Sequence, residues 1–186
     1  DVYYKVIGDA NHNDTAPACV TVTIAKKQIT KPAADNSTFT YNGNYQTYAL
    51  NGDPAFIIDN NVQKNAGSYT VTVTLQDTAN YEWTDGTTAV LEYTFKIEQK
   101  EIGISWSNTA LTYNGAAQRP TATATGVVTG EQIALLLSAP ETNAGSYTAM
   151  VRGIDGETAQ NYKLPANRST TFTIEQRALT IVWGNS

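Results

Sequence analysis

Asn65-Ala66-Gly67-Ser68-Tyr69-Thr70-Val71-Thr72-Val73-Thr74-Leu75 is the stretch that decides the fold of this chain. From Tyr69 onward it alternates strictly, with Tyr69, Val71, Val73 and Leu75 on one parity and threonines on the other. A period of two carried by aromatic and β-branched residues marks a β-strand with one face on a core and one in water. The first six residues return unchanged at 143–148, displaced by 78 (143 − 65). Working outward, Thr40-Tyr41-Asn42-Gly43-Asn44-Tyr45-Gln46 returns as Thr112-Tyr113-Asn114-Gly115-Ala116-Ala117-Gln118, displaced by 72. Phe95-Lys96-Ile97-Glu98-Gln99 returns as Phe172-Thr173-Ile174-Glu175-Gln176, displaced by 77. A fixed period near 77 residues predicts an array of small modules. Arrays of this kind serve as spacers or binding surfaces, and a catalytic constellation is seldom duplicated intact.

The ends of the chain continue the pattern. Val2, Tyr4 and Val6 alternate like the strand at 69–75, and Val22-Thr23-Ile24 parallels Phe95-Lys96-Ile97. Ile181-Val182-Trp183-Gly184-Asn185 matches Ile104-Ser105-Trp106-Ser107-Asn108, 77 residues earlier. The expected organisation is the closing part of one module at 1–26, complete modules at 27–99 and 100–176, and the opening strand of another at 177–186. Unpaired edges invite pairing, so the strand at 178–183 is expected to complete the partial module at 1–26, in its own chain or a neighbour's. Ile97-Glu98-Gln99-Lys100-Glu101-Ile102 passes from one module to the next with no Pro/Gly/Ser-rich linker, which predicts a stiff junction. Asn42-Gly43, Asn114-Gly115, Asn51-Gly52-Asp53-Pro54 and Asp85-Gly86 read as turns between strands. The segment 130–137 is short, and it reads as a strand like its counterpart 55–59.

Composition narrows the function classes. The chain is 41% hydrophobic but only 16% charged, against roughly 25% charged in ordinary soluble domains. Thr, Asn, Tyr and Gly fill the difference, giving the neutral polar surface of secreted all-β proteins. A net charge of −5 supplies no basic patch, which argues against nucleic acid and against docking on anionic lipid. No apolar run is long enough to insert in a membrane as a helix. Cys19 is the only cysteine, so no intrachain disulfide or thiolate metal cluster can form.

The motif Ala-Gly-Ser-Tyr, at 66–69 and 144–147, opens an alternating strand and is similar to the tyrosine-corner strand of immunoglobulin-like sandwiches. Together with the Thr-Tyr-Asn-Gly-x-x-Gln block and the pairs Asn80-Tyr81 and Asn161-Tyr162, it makes the chain resemble the Ig-like and MBG-type repeats of bacterial cell-surface proteins and adhesins. The resemblance covers essentially the whole chain and implies an all-β fold of tandem Ig-like β-sandwich modules. It lacks the paired cysteines and strand-C tryptophan of antibody domains. The short module leaves a small β-grasp fold as the alternative, which needs a helix that only residues 130–137 could supply. The function implied is a non-enzymatic stalk, spacer or adhesive array, extracellular and attached to the bacterial surface or secreted. Its expected partners are neighbouring modules and host or environmental glycans and glycoproteins. The competing reading is a carbohydrate- or glycoprotein-binding module, possibly accessory to a secreted glycoside hydrolase.

Candidate chemistry is sparse, and no catalytic residue, metal ligand or cofactor site is expected. His12 is the only histidine, and no serine sits in a nucleophile elbow. Asp77 with Asp85, and Asp155 with Glu157, are the pairs a glycosidase could use, but each lies beside a turn. Asp9-Ala10-Asn11-His12-Asn13-Asp14 clusters oxygen donors without the glycine and distal glutamate of an EF-hand, and reads as an Asx-rich turn. For stacking on sugars the candidates are Trp83, Trp106 and Trp183, with Tyr45 and Tyr48 beside them. Trp106 and Trp183 recur in register and read as packing residues, whereas Trp83 does not recur and is the one candidate ligand-binding residue, although core or junction packing is the favoured reading for it as well. An isopeptide cross-link needs an inward lysine early in the module and an inward Asn or Asp on the closing strand. The closing strands offer only Tyr93, Phe95 and Ile97, or Thr170, Phe172 and Ile174, so none is expected, and an intact mass free of ammonia or water loss is the check.

Overall fold

The computed structural model describes residues 1–183, and among them the chain is all-β, its only helix being the three-residue 3-10 turn Ala159–Asn161. Two short strands, β1 (Val2–Tyr4) and β2 (Ala18–Val20), come first. The first copy of the repeat holds β3 (Lys27–Ile29), β4 (Phe39–Thr40), β5 (Gln46–Thr47), β6 (Phe56–Asp59), β7 (Val62–Gln63), β8 (Gly67–Leu75), β9 (Tyr81–Trp83) and β10 (Leu91–Glu98). The second holds β11 (Lys100–Glu101), β12 (Gly103–Ser107), β13 (Ala110–Thr112), β14 (Thr121–Thr125), β15 (Ala134–Leu137), β16 (Gly145–Asp155), β17 (Tyr162–Lys163) and β18 (Ser169–Glu175).

The strand order of one four-stranded sheet is β4-β10-β8-β6, and that of the other is β13-β18-β16-β15. Corresponding strands thus occupy corresponding places. The long pairings, β6 with β8 and β16 with β15 and β18, are antiparallel as the alternation predicts. The short edge strands differ from that expectation. β4 runs parallel to β10 and β13 to β18, while β3/β9 and β11/β17 are further parallel pairs. Two- and three-residue strands have too little sequence for periodicity to declare a direction.

Contacts divide the chain into two compact units, one of residues 1–34, 50–59 and 72–92, the other of 35–49, 60–71 and 93–186. In the first, Ile29, Ala55, Phe56, Val73, Leu75 and Trp83 are buried. In the second, Phe95 is the centre of an aromatic group, with Phe39 edge-on at 4.9 Å and Tyr48 and Tyr69 at 5.7 and 6.1 Å. Further along the same unit, Ala149, Phe172 and Ile174 form a core covered by Trp106, Leu111 and Tyr147. The inward parity read from the alternation is the buried one: Val71, Val73 and Leu75 on β8, Phe95 and Ile97 on β10, Phe172 and Ile174 on β18.

The repeated motifs have local physical reasons. In both Asn-Gly turns the glycine is left-handed (φ 81° at Gly43, 82° at Gly115), which favours a residue without Cβ. The asparagine carboxamide oxygen accepts the amide two residues on, Asn44 and Ala116, each at 2.9 Å. In Ala-Gly-Ser-Tyr, the hydroxyls of Tyr69 and Tyr147 donate back to the carbonyls of Asn65 and Asn143, each at 2.9 Å. The folded-back ring lies over the glycine, so a Cβ at Gly145 would meet the Tyr147 hydroxyl at 2.9 Å. Gly145→Ala is therefore expected to cost about 1 kcal/mol, the worth of the bond it displaces. In urea unfolding, Gly145→Ala and Tyr147→Phe combined should cost less than their sum, because both remove the same bond.

Residues 130–137 form no helix, which withdraws the element a β-grasp module requires: a turn at 129–130 leads into strand β15. At the ends, β1 pairs with β2 and with no other strand, while residues 176–183 form none. Residues 184–186, the last part of the expected opening strand, lie outside the described residues.

Candidate functional site

The most unusual chemistry in the second unit is a carboxylate held by two phenols. Glu131, half-buried beyond the left-handed Gly130, accepts a hydrogen bond from Tyr162 Oη on Oε2 at 2.6 Å and another from Tyr41 Oη on Oε1. Tyr162 comes from β17 and Tyr41 from the residue after β4, where its amide donates to Glu98 O at 2.9 Å. The two rings meet edge to face at 5.6 Å. The Tyr162 oxygen also accepts the Val128 amide at 3.0 Å, so this hydroxyl both donates and accepts.

Next to them Asn161 is completely buried. Its Oδ1 accepts the Ala66 amide at 2.8 Å, and its Nδ2 donates to Asn65 Oδ1 at 3.2 Å. Gln99 Nε2 donates to Gln160 O at 2.9 Å, and β11 then pairs with β17, burying Ile102. Gly43 packs so tightly here that a Cβ would lie 2.5 Å from Val128 Cγ1. The Tyr41-Asn42-Gly43 and Asn65-Ala66 motifs of the first copy are thus clasped by Val128, Glu131 and Asn161-Tyr162 of the second.

Electrostatics bind the cluster further. Burial pushes the Glu131 carboxyl up, but hydrogen bonds from Tyr162 and Tyr41 outweigh it and hold the group below its ordinary value. Burial first, then the bond to Glu131, pushes Tyr41 and Tyr162 each up to about 12. A tyrosine whose folded value exceeds its unfolded 10.0 stabilises the fold fully below pH 10 and loses that contribution as pH climbs to about 12. Glu131 acts oppositely, contributing above its ordinary 4.5 and losing the contribution as pH falls through its lower folded value. Spectrophotometric titration should show two of the eleven tyrosines ionising near pH 12. Glu131→Gln should lower both without restoring the ordinary value, since burial remains.

The residues singled out in the sequence lie elsewhere. Trp83 has no exposed surface: its ring packs on Phe56 at 5.8 Å and its Nε1 donates to Ala89 O at 2.8 Å. It therefore offers no face to a sugar. Trp106 covers the core of the second copy, and Tyr48 is buried with its hydroxyl accepting the Asp35 amide at 3.1 Å. Tyr45 and Trp183 are exposed. Cys19 is exposed on β2, opposite Tyr3.

The oxygen-rich loop at 9–14 is used internally. Asp9 accepts from the Asn11 amide and lies 2.7 Å from His12 Nδ1, and Asp14 accepts the Gly8 amide and pairs with Lys5 at 2.5 Å. No group of three His, Cys, Asp or Glu able to hold a metal occurs among the described residues. Asp77 is turned on its own loop, where hydrogen bonding by Asn80 first and the Ala79 amide next lowers its pKa. Asp85 is brought down to about 2, chiefly by Lys31 at 2.6 Å and then by Thr87. A general acid needs the opposite shift.

Glu131 and Asn161 were not identifiable as a pair from spacing. Compared with known family models, curated proteins and solved structures, the chain matches none.

Proposed function

We propose that this chain is a non-enzymatic repeat segment of a bacterial extracellular or cell-surface protein, of the Ig-like or MBG-type kind, serving as a stalk or spacer. The observation that carries this reading is the buried clasp by which Glu131 and Asn161-Tyr162 hold the Tyr41 and Asn65-Ala66 motifs, with Gln99-Lys100 running directly between the copies. A chain that buries two phenols and a carboxamide around a half-buried carboxylate to fix one repeat against the next invests in geometry. The polar, weakly charged surface supports an extracellular setting.

An exchange experiment tests the reading. Replacing the segment in its parent protein by an unrelated rigid β-repeat of equal length should preserve the parent's activity. Loss of activity on that exchange would contradict a spacer role. Trp83, the stacking candidate of the glycan-binding alternative, is buried, and the intact chain applied to a glycan array should give no specific signal.

A further inference from the structure

The motifs clasped in the first copy recur in the second with nothing upon them. Tyr113, the counterpart of Tyr41, is 39% exposed where Tyr41 is 1%. Ala144, the counterpart of Ala66, is exposed, and a Cβ on Gly115 would meet nothing within 4 Å. Leu179, which follows Gln176 as Ile102 follows Gln99, is 94% exposed where Ile102 is 2%. The local geometry is nevertheless the same: Tyr113 N donates to Glu175 O at 2.8 Å, and Asn114 closes the same turn. Between these motifs and the tail lies an open cleft of about 830 Å³ lined by Tyr113, Asn143, Ala144, Gln176, Arg177 and Leu179.

Resting on the spacer reading, we propose that this face is a docking surface for one occupant, a further repeat of the same kind presenting a buried-type Asn-Tyr pair and a carboxylate. The first copy supplies the template for every contact. Tyr113 takes the place of Tyr41 on the carboxylate, and the Ala144 amide takes that of Ala66 on the asparagine. The Gln176 carboxamide bonds the carbonyl before that asparagine. Arg177-Ala178 pairs in parallel with the strand that follows it, and Leu179 closes over as Ile102 does.

The test keeps the full chain to Leu179 and adds a further copy of residues 103–176 after it, which preserves the register of the repeat. Nitration by tetranitromethane, read by mass spectrometry, should fall at Tyr113 by about tenfold or more, the factor that about 1.4 kcal/mol of closure imposes. Changing the added counterparts of Asn161 and Tyr162 to alanine should restore labelling. An added copy that stays unfolded, or one that folds and leaves Tyr113 as reactive as before, overturns the proposal. Either failure would leave a spacer with flexible joints, whereas the exchange experiment bears on the spacer role itself.

Discussion

Glu131→Ala is expected to lower the stability of the second unit by about 3 kcal/mol, since each of its two hydrogen bonds joins a hydroxyl to a charged acceptor. The loss exceeds that of an exposed ion pair because Tyr41 and Tyr162 are 1% and 2% exposed and find no water when the carboxylate goes. Glu131→Gln should cost less, since one carboxamide oxygen still accepts. Urea unfolding of the three proteins gives the order wild type, Gln, Ala in decreasing midpoint. Equal midpoints for all three would mean that the clasp adds no stability.

Trp83→Ala should cost more, about 3–5 kcal/mol, the range for removing a fully buried large aromatic. The indole fills the space against Phe56 and its N–H is satisfied by Ala89 O, so truncation leaves both a cavity and an orphaned carbonyl. Trp83→Phe keeps most of the volume and should recover much of the loss. A variant that unfolds as the wild type does would contradict burial, and would return Trp83 to the surface as a candidate for stacking.

The strands were written plainly in the sequence, because alternation along β8, β10 and β18 is long enough to fix which residues face inward. Gly67 and Gly145 were visible as motif residues, though the reason, a tyrosine folded back over the glycine, needed the geometry. The parallel edge strands were not legible, since β3, β4, β11 and β17 have only two or three residues each. Core packing is the favoured reading for Trp83 in the sequence and burial agrees with it, but its partner Phe56 is 27 positions away and only the structure shows the contact. The clasp was hidden for a different reason. Its residues are 90 positions apart at Tyr41–Glu131 and 95 at Ala66–Asn161, and no local pattern encodes such pairing.

One pair of amides tests the central claim with an internal control. Ala66 and Ala144 occupy the same six-residue sequence, Asn-Ala-Gly-Ser-Tyr-Thr, ahead of corresponding strands. Only Ala66 donates to the buried Asn161 carboxamide, whereas Ala144 is exposed. Native-state hydrogen exchange should find the Ala66 amide strongly protected and the Ala144 amide fast, with Asn161→Ala bringing Ala66 to the rate of Ala144. Equal exchange at the two amides in the unaltered chain would contradict the clasp.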